Sequence, residues 1–527
     1  MNKEILADPR IFGENISETS IVETHISWVV LTGTYAYKIK KPVNFGFLDF
    51  STLDKRKYYC DEELRLNRRL APNIYADVVP ILNTREGLRI GDYEGEVVEY
   101  AVKMIQFDAD RLMSDLLKDN FIRNQDITNI VKILTTFYSS LSSDSEIQKF
   151  GDIPTITTNT EENFEQTENV VGKTISKETF DHIKKATRNF IKNNGSLFLK
   201  RIKEGHIKDC HGDLHSGNIV IDKDGYITIF DCIEFNERFR YSDVAADIGF
   251  LAMDLDYQNF PAHSAYLIHE YIRRSNDLSL LEVLNFYKCY RAYVRGKVIG
   301  FMLSSDLDND TEKKIVAKAK KYFELSSYYA DLFSCTLHRE KKPLLFLMHG
   351  LAGTGKSTIA HKISTDYNAM EIGTDVVRKK MAGMDKYQHQ FDEYGKGLYS
   401  SQKTDDTYRE VMNEAEIFLR EGKNCILNGT FLQKQYRDWA RELAQKYNAK
   451  MIIIHCVCDE EDIKERFAER AVEKSVSDGR WEIYLKQKKE YSPLQGDDNS
   501  VEINTSDNSY KHRMNYYKKV CAVVKKK

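Results

Sequence analysis

The stretch HGDLHSGNIVIDKDGYITIFD, residues 211–231, carries three polar side chains at informative distances. Asp213 is followed by Asn218 on the same short loop, and Asp231 stands at the far end. Between them, two apolar runs flank Asp224-Gly225, a dipeptide that favours a tight hairpin turn. A hairpin brings its ends together, so Asp231 returns beside the loop that holds Asp213 and Asn218. Phosphoryl transfer to a hydroxyl needs this set: a carboxylate to take the proton, and an amide oxygen with a second carboxylate to hold Mg2+.

Working upstream, residues 22–50 read as a β-hairpin broken at Thr32-Gly33, with Lys38 on its second strand. The next segment, LDKRKYYCDEELRLNRRLAP, has helical spacing and stops at Pro72. It presents Glu63, with Glu62 as a close rival, as the helix carboxylate that would orient Lys38 toward the phosphates of ATP. A strand pair is expected near 75–106 with a turn at NTREG. From 110 to 206 the pattern is helical and polar, interrupted around GDIPTITTNT, and 243–335 is helical again.

Downstream, GLAGTGKST (350–358) follows an apolar strand and precedes a helix. This is the context a phosphate-binding loop requires. Gly350, Gly353 and Gly355 let backbone N–H groups curl round a phosphate. Lys356 reaches the terminal phosphates, Ser357 meets Mg2+, and Thr358 continues into the helix. In GTDVVRKKM (373–381), Asp375 is a candidate to activate an acceptor hydroxyl, and Arg378 to hold a charged group of the substrate; Asp375 as a mere helix N-cap is the plainer alternative. Arg466 and Arg470 share a helix face in DIKERFAERAVEK and could close over the transferring phosphate. The strands LLFLMHG, CILNG and MIIIHCVC alternate with helices, the mark of a parallel α/β sheet.

At 527 residues the chain exceeds one core. We expect two domains, an α+β domain at 1–335 and an α/β domain at 343–527, joined by a linker at 336–342. With 42% hydrophobic and 30% charged residues and a net charge of −3, no global field draws it to nucleic acid or membrane. Nine scattered cysteines argue against disulfides, and the N-terminus has no apolar signal segment, so a cytoplasmic protein is expected. DLDND (306–310) lacks the glycine and the glutamate of a calcium loop. Cys456 and Cys458 fit packing on a strand better than metal binding, and His211 and His215 fit bracing of the catalytic loop.

Residues 20–335 resemble the aminoglycoside phosphotransferase group of the protein-kinase-like fold, on DCHGDLH, FDCIEFN, EELRLNRRLAP and the hairpin that carries Lys38. The resemblance implies Asp213 as base, Asn218 and Asp231 as metal ligands, and Lys38 as phosphate anchor with Glu63 as its partner. LTGTYAY has a single glycine where a nucleotide flap usually has three. Gly212 replaces the catalytic-loop arginine of protein kinases, and Asp231-Cys-Ile lacks the glycine of Asp-Phe-Gly. The second half resembles P-loop small-molecule kinases, including the adenylylsulfate kinase, zeta-toxin-like and polynucleotide 5′-hydroxyl kinase groups. The order of the two is that of the bacterial family described as bifunctional aminoglycoside phosphotransferase/ATP-binding proteins. It implies two ATP/Mg2+ sites, each moving a γ-phosphoryl group to a small-molecule hydroxyl.

One departure bears on the second site: Asn428 stands where related kinases carry an acid. Two other readings follow. The second half could act on the 5′-hydroxyl of a nucleic acid, with KQYRDWARELAQKYNAK (434–450) as a binding helix. Alternatively, one half could be a nucleotide sensor that regulates the other. Acceptor identity and oligomeric state are not encoded in any motif.

Overall fold

The computed structural model describes residues 2–13, 16–46, 48–303, 307–337, 342–384, 397–470, 480–491, 494, 499–507 and 509–526. The chain forms two compact units. One gathers Met1–Glu162, Asn194–Asp254 and Glu270–Asp277; the other gathers Asn163–Asn193, Leu255–His269 and Leu278–Lys527.

The first unit is built on strands β1 (Ser20–Glu23), β2 (Ser27–Leu31), β3 (Tyr35–Lys40), β4 (Tyr75–Thr84), β5 (Gly87–Ile90) and β6 (Glu96–Ile105). They form an antiparallel sheet in the order β1-β2-β3-β6-β4-β5. Side chains alternate across it. Trp28, Val30, Tyr37 and Ile39 enter one core with Leu6, Phe12 and Ile81. Val29 and Ala36 face the other side, toward Cys60 and Leu64 of the helix Leu53–Asn67. Lys38 and Lys40 share that helix-facing side because they stand in register with Val29 and Ser27. The helix begins at Thr52, whose hydroxyl accepts from Lys55 N, and its spacing turns Arg56, Cys60, Glu63 and Asn67 inward.

Three strands, not two, occupy 75–106. NTREG turns β4 into β5, and a second turn at Gly91–Gly95 sends β6 back along the other edge of β4. The interruption expected at GDIPTITTNT is shorter than its composition suggests, because Ile153–Thr167 is a helix. Asp152 accepts from Thr155 N, Pro154 sits in the first turn where no N–H is needed, and Thr157, Thr158 and Thr160 bond back to carbonyls one turn earlier. The shorter strands of this unit are β7 (Ile207–Asp209), β8 (Ile219–Ile221), β9 (Ile227–Ile229) and β10 (Tyr241–Asp243). β8 and β9 are the hairpin expected around Asp224-Gly225.

The second unit contains a parallel five-stranded sheet of β11 (Leu344–His349), β12 (Ala369–Gly373), β13 (Asn424–Asn428), β14 (Lys450–Val457) and β15 (Ser500–Asn504). Their order is β12-β13-β11-β14-β15. Every residue of β11 is buried, as expected for a central strand covered on both faces. Leu345, Leu347, Ile372, Val411, Leu427 and Ile453 form the core beneath it. The helices Leu280–Gly300 and Asn309–Leu337 belong to this same unit. Buried polar side chains tie them to the helix Lys356–Asp366. Lys362 pairs with Asp366, the Tyr328 hydroxyl donates to Asp366 at 2.5 Å, and Lys288 and Tyr329 both bond Asp256 at 2.6 Å. Among the described residues the cysteines are free, and no helix is long and apolar enough to cross a membrane.

Candidate active sites

In the first unit, the loop carrying Asp213 is held by groups distant in sequence. The Asp247 carboxylate accepts from His211 N at 2.7 Å and Gly212 N at 3.0 Å, and also takes the Tyr138 hydroxyl at 3.1 Å. Gly212 has φ +84°, and a Cβ there would lie 3.0 Å from Phe239 O, so this position excludes the arginine found in protein kinases. His211 braces the loop: Nε2 bonds Phe230 O at 2.9 Å, and Nδ1 accepts from Asp213 N at 3.3 Å. Burial keeps its pKa below the ordinary histidine value, which suits this neutral tautomer. Ser216 is anchored through its N–H and hydroxyl to Asp254.

Asn218 ends the loop. Its amide nitrogen donates to Asp213 O at 2.9 Å and to Asp213 Oδ2 at 3.1 Å, while His215 Nε2 lies 3.4 Å from the same carboxylate. Asp231 follows β9 with a left-handed φ of +64°, a conformation that stores strain in a non-glycine residue. Its N–H donates to the Tyr75 hydroxyl, and its carboxylate sits 2.6 Å from Lys38 Nζ. Lys38 also meets Glu63 Oε1 at 2.7 Å, whereas Glu62 turns outward to Arg65. Burial opposes the Lys38 charge, but Asp231 and Glu63 outweigh it and hold the ammonium well above its usual range. Lys38, Glu63 and Asp231 thus form one ion-paired group, and Asp213 and Asn218 form a bonded pair on the adjoining loop.

Two residues of this cluster escaped the sequence reading. Lys40 is fully buried and pairs with Glu63 Oε2 at 2.6 Å and with Glu234. Its signal was available, since it lies two residues beyond Lys38 on the same strand face. Asp247 carried no local signal, because its partners, two backbone N–H groups and the Tyr138 hydroxyl, lie more than thirty residues away.

In the second unit, β11 delivers the chain into the loop 350–355 and the helix Lys356–Asp366. Gly350, Gly353 and Gly355 have positive φ, and Cβ atoms at the first two would stand 2.4 Å from Cys456 O and 2.8 Å from Ile463 Cγ2. Lys356 Nζ donates to Leu351 O at 2.6 Å, folding over the loop. Gln487 accepts from Ala352 N at 2.8 Å. Arg466 donates to Thr505 Oγ1 at 2.9 Å and to Thr505 O at 2.6 Å, and reaches Gly353 O at 3.4 Å. The side chain of Arg470 lies outside the described residues. Ser357 and Thr358 are exposed at the mouth of the helix.

Asp375 is the second residue of the helix Thr374–Met381. The N-cap position is Gly373, so capping is not the task of Asp375. Arg378 Nη1 lies 3.6 Å from Asp375 Oδ1, and its guanidinium stacks on the Tyr399 ring at 4.6 Å. Asn428 donates to Ser357 Oγ at 3.3 Å and to Glu371 Oε1 at 2.7 Å, and His361 Nδ1 lies 2.5 Å from Glu371 Oε2. Burial opposes ionisation of Glu371, but His361 and Asn428 outweigh it and hold its carboxyl below the usual value. The helix Lys434–Lys446 turns its aromatics to the core: Tyr436 stacks on Tyr408 at 3.8 Å, and Trp439 packs against the same cluster.

Two segments of the chain match known protein families. Residues 204–281 match the model of the phosphotransferase enzyme family, and residues 345–494 match an AAA domain. Uncharacterized proteins of Mycobacterium tuberculosis and Mycobacterium bovis are 29% identical over 450 residues, covering 85% of this chain and 86% of theirs. Among solved structures, a choline/ethanolamine kinase family protein from Mesorhizobium loti is 12% identical, covers 62% of this chain and 96% of its own, and has a TM-score of 0.36. A gluconokinase from Sinorhizobium meliloti is 16% identical over 34% of this chain and 92% of its own, with a TM-score of 0.25. The chain thus carries a segment that matches the phosphotransferase enzyme family followed by one that matches an AAA domain, the order of the pairing its sequence resembles.

Proposed function

We propose that this phosphotransferase has two catalytic centres, each moving the γ-phosphoryl group of ATP to a hydroxyl of a small molecule. The observation that carries the reading is the ion-paired group Lys38–Glu63–Asp231 beside the bonded pair Asp213–Asn218. In the first centre, Asp213 takes the proton as the acceptor oxygen bonds to phosphorus and the bond to the ADP oxygen breaks. Lys38, oriented by Glu63, grips phosphate oxygens. Asn218 and Asp231 supply the hard oxygen atoms that suit Mg2+, which when bound neutralises phosphate charge. A mobile proton acceptor needs an accessible carboxylate, and the Asp213 side chain is about one-third exposed.

In the second centre, the loop glycines hold left-handed backbone packed too closely against Cys456 O, Ile463 and Thr505 for a Cβ. Lys356 holds the terminal phosphates, Ser357 offers a hydroxyl to Mg2+, Thr358 and the helix N-terminus face the anion, and Arg466 braces the loop. Asp375 is the acceptor-activating carboxylate, and Arg378 holds a charged group of the acceptor. We place the boundary between the two domains, 1–335 and 343–527, in the linker 336–342. Free cysteines fit a reducing compartment, so the location proposed is cytoplasmic. The nucleic-acid reading loses its candidate helix, since Tyr436 and Trp439 pack inward and offer no stacking platform.

The test is acceptor-stimulated ATP consumption against a pool of hydroxylated metabolites and 5′-hydroxyl oligonucleotides, using wild type, Asp213→Ala and Lys356→Ala. Each variant is expected to lose a different part of the activity. If Lys356→Ala merely changes the rate of the Asp213-dependent reaction, the second centre is a nucleotide sensor and the double-enzyme reading fails.

A further inference from the structure

Asn428 ends β13 beside the phosphate-loop serine, and an amide there adds no negative charge to a metal site. The fold brings a carboxylate to the same place from the neighbouring strand. β12 and β13 run parallel with Glu371 opposite Ile426 and Gly373 opposite Asn428, so Glu371 and Asn428 stand two positions apart on adjacent strands. That diagonal is short enough for long side chains to meet. The Asn428 amide nitrogen donates to Glu371 Oε1 at 2.7 Å and reaches Ser357 Oγ at 3.3 Å. The other carboxylate oxygen, Oε2, is taken by His361 Nδ1 at 2.5 Å. His361 itself lies on the phosphate-loop helix, five residues after Lys356. Glu371 is therefore clamped between that helix and Asn428, with Oε1 on the amide that also reaches the serine.

Mg2+ in nucleotide sites takes one or two carboxylates together with substrate phosphates. In the second centre the Asn428 amide links the Ser357 hydroxyl to the Glu371 carboxylate. We propose that Glu371 is the metal-site carboxylate of the second centre, aimed by Asn428 and braced by His361, in place of the acid that position 428 lacks. This rests on the reading of residues 350–358 as a site for ATP with a divalent cation. It also accounts for an asparagine at the end of β13: a second acid 2.7 Å from Glu371 would repel it, whereas an amide donates to it.

The experiment uses the full chain carrying Lys38→Met and Asp231→Asn, which remove the phosphate anchor and a metal ligand of the first centre. In this parent, Mn2+ binding in the presence of ATP is followed by electron paramagnetic resonance, and ATP binding in EDTA by calorimetry. Glu371→Gln is expected to weaken Mn2+ binding by about 10- to 100-fold, the range for groups that position metal ligands, while ATP affinity in EDTA stays within about twofold. The exchanged pair Glu371→Gln with Asn428→Asp keeps the bond between the two side chains and restores one carboxylate. Its Mn2+ affinity is expected to return to within about threefold of the parent, by the same bookkeeping of ligands. Parent-like Mn2+ binding by Glu371→Gln, or an exchanged pair as weak as the single variant, overturns the role of Glu371 alone. If adding Lys356→Ala leaves ATP affinity in EDTA unchanged, the phosphate-loop reading itself fails and takes this one with it.

Discussion

Lys38 and Lys40 leave the same face of β3, yet their surroundings give them different duties. Lys38 is partly open and bonds Glu63 and Asp231; Lys40 is sealed between Glu63 and Glu234. Lys38→Met is expected to lower kcat by at least about 100-fold while leaving the fold in place, measured by initial rates and thermal melting. Lys40→Met strands two buried carboxylates beside one remaining ammonium. It is expected to destabilise the protein by about 3–5 kcal/mol, measured by urea unfolding. A histidine sets a second expectation at this scale. Burial, then the neighbouring His455 and Arg437, depress the His349 pKa to about 3 from an ordinary 6.5. Between those values the unfolded chain binds a proton that the folded chain refuses. Stability is therefore lost as pH falls from 6.5 toward 3, by at most about 1.4 kcal/mol per pH unit. His349→Asn keeps a donor toward Phe431 O and removes that proton. Its urea midpoint is expected to fall less steeply than that of wild type over the same interval.

At the scale of elements, the strand–loop–helix 344–366 owes the shape of its proposed phosphate loop to backbone conformation. Gly350 has φ +141°, and a Cβ there would meet Cys456 O at 2.4 Å, a contact with backbone that cannot swing away. Gly422 has φ +72° but open space around it, so it isolates the conformational cost alone. Gly350→Ala is expected to abolish Lys356-dependent nucleotide binding and to cost about 1–3 kcal/mol from overpacking in addition to backbone strain. Gly422→Ala is expected to cost about 1 kcal/mol and to leave binding unchanged. Calorimetric titration with ATP and urea unfolding separate the two. The helix Ile153–Thr167 teaches the opposite lesson about local signals. Four threonines and a proline look like a break, yet Pro154 lies in the first turn and the hydroxyls of Thr157, Thr158 and Thr160 fold back onto the helix's own carbonyls.

At the scale of the molecule, the compact units do not follow the chain in order. The helices Leu280–Gly300 and Asn309–Leu337 precede the strand β11 in the chain, and they share a buried polar network with the helix Lys356–Asp366 that follows it. Asp256, Lys288, Lys362 and Asp366 are each under a tenth exposed, so each depends on its partners for compensation. Ending the chain at residue 342 removes Lys362 and Asp366 from that network. The shortened protein is expected to be insoluble or to melt well below the full chain, measured by expression yield and scanning calorimetry. A fragment that folds with full thermal stability would show that the network contributes nothing.

The sequence by itself determined the fold class, the hairpin at 219–229, the central buried strand at 344–348 and the position of both loops on which the proposed centres rest. These features rest on interactions between neighbours in the chain: strand alternation, turn dipeptides, glycine conformation and helix periodicity are all local. The residues that brace those two loops were decided only by tertiary structure. Asp247 beneath the Asp213 loop, Glu234 on Lys40, Thr505 on Arg466 and Glu371 beside Asn428 reach their partners across strands or from remote loops. No period or motif encodes such meetings. They exist because burying a charge or a backbone N–H demands a partner, and the packed fold chooses which remote side chain supplies it.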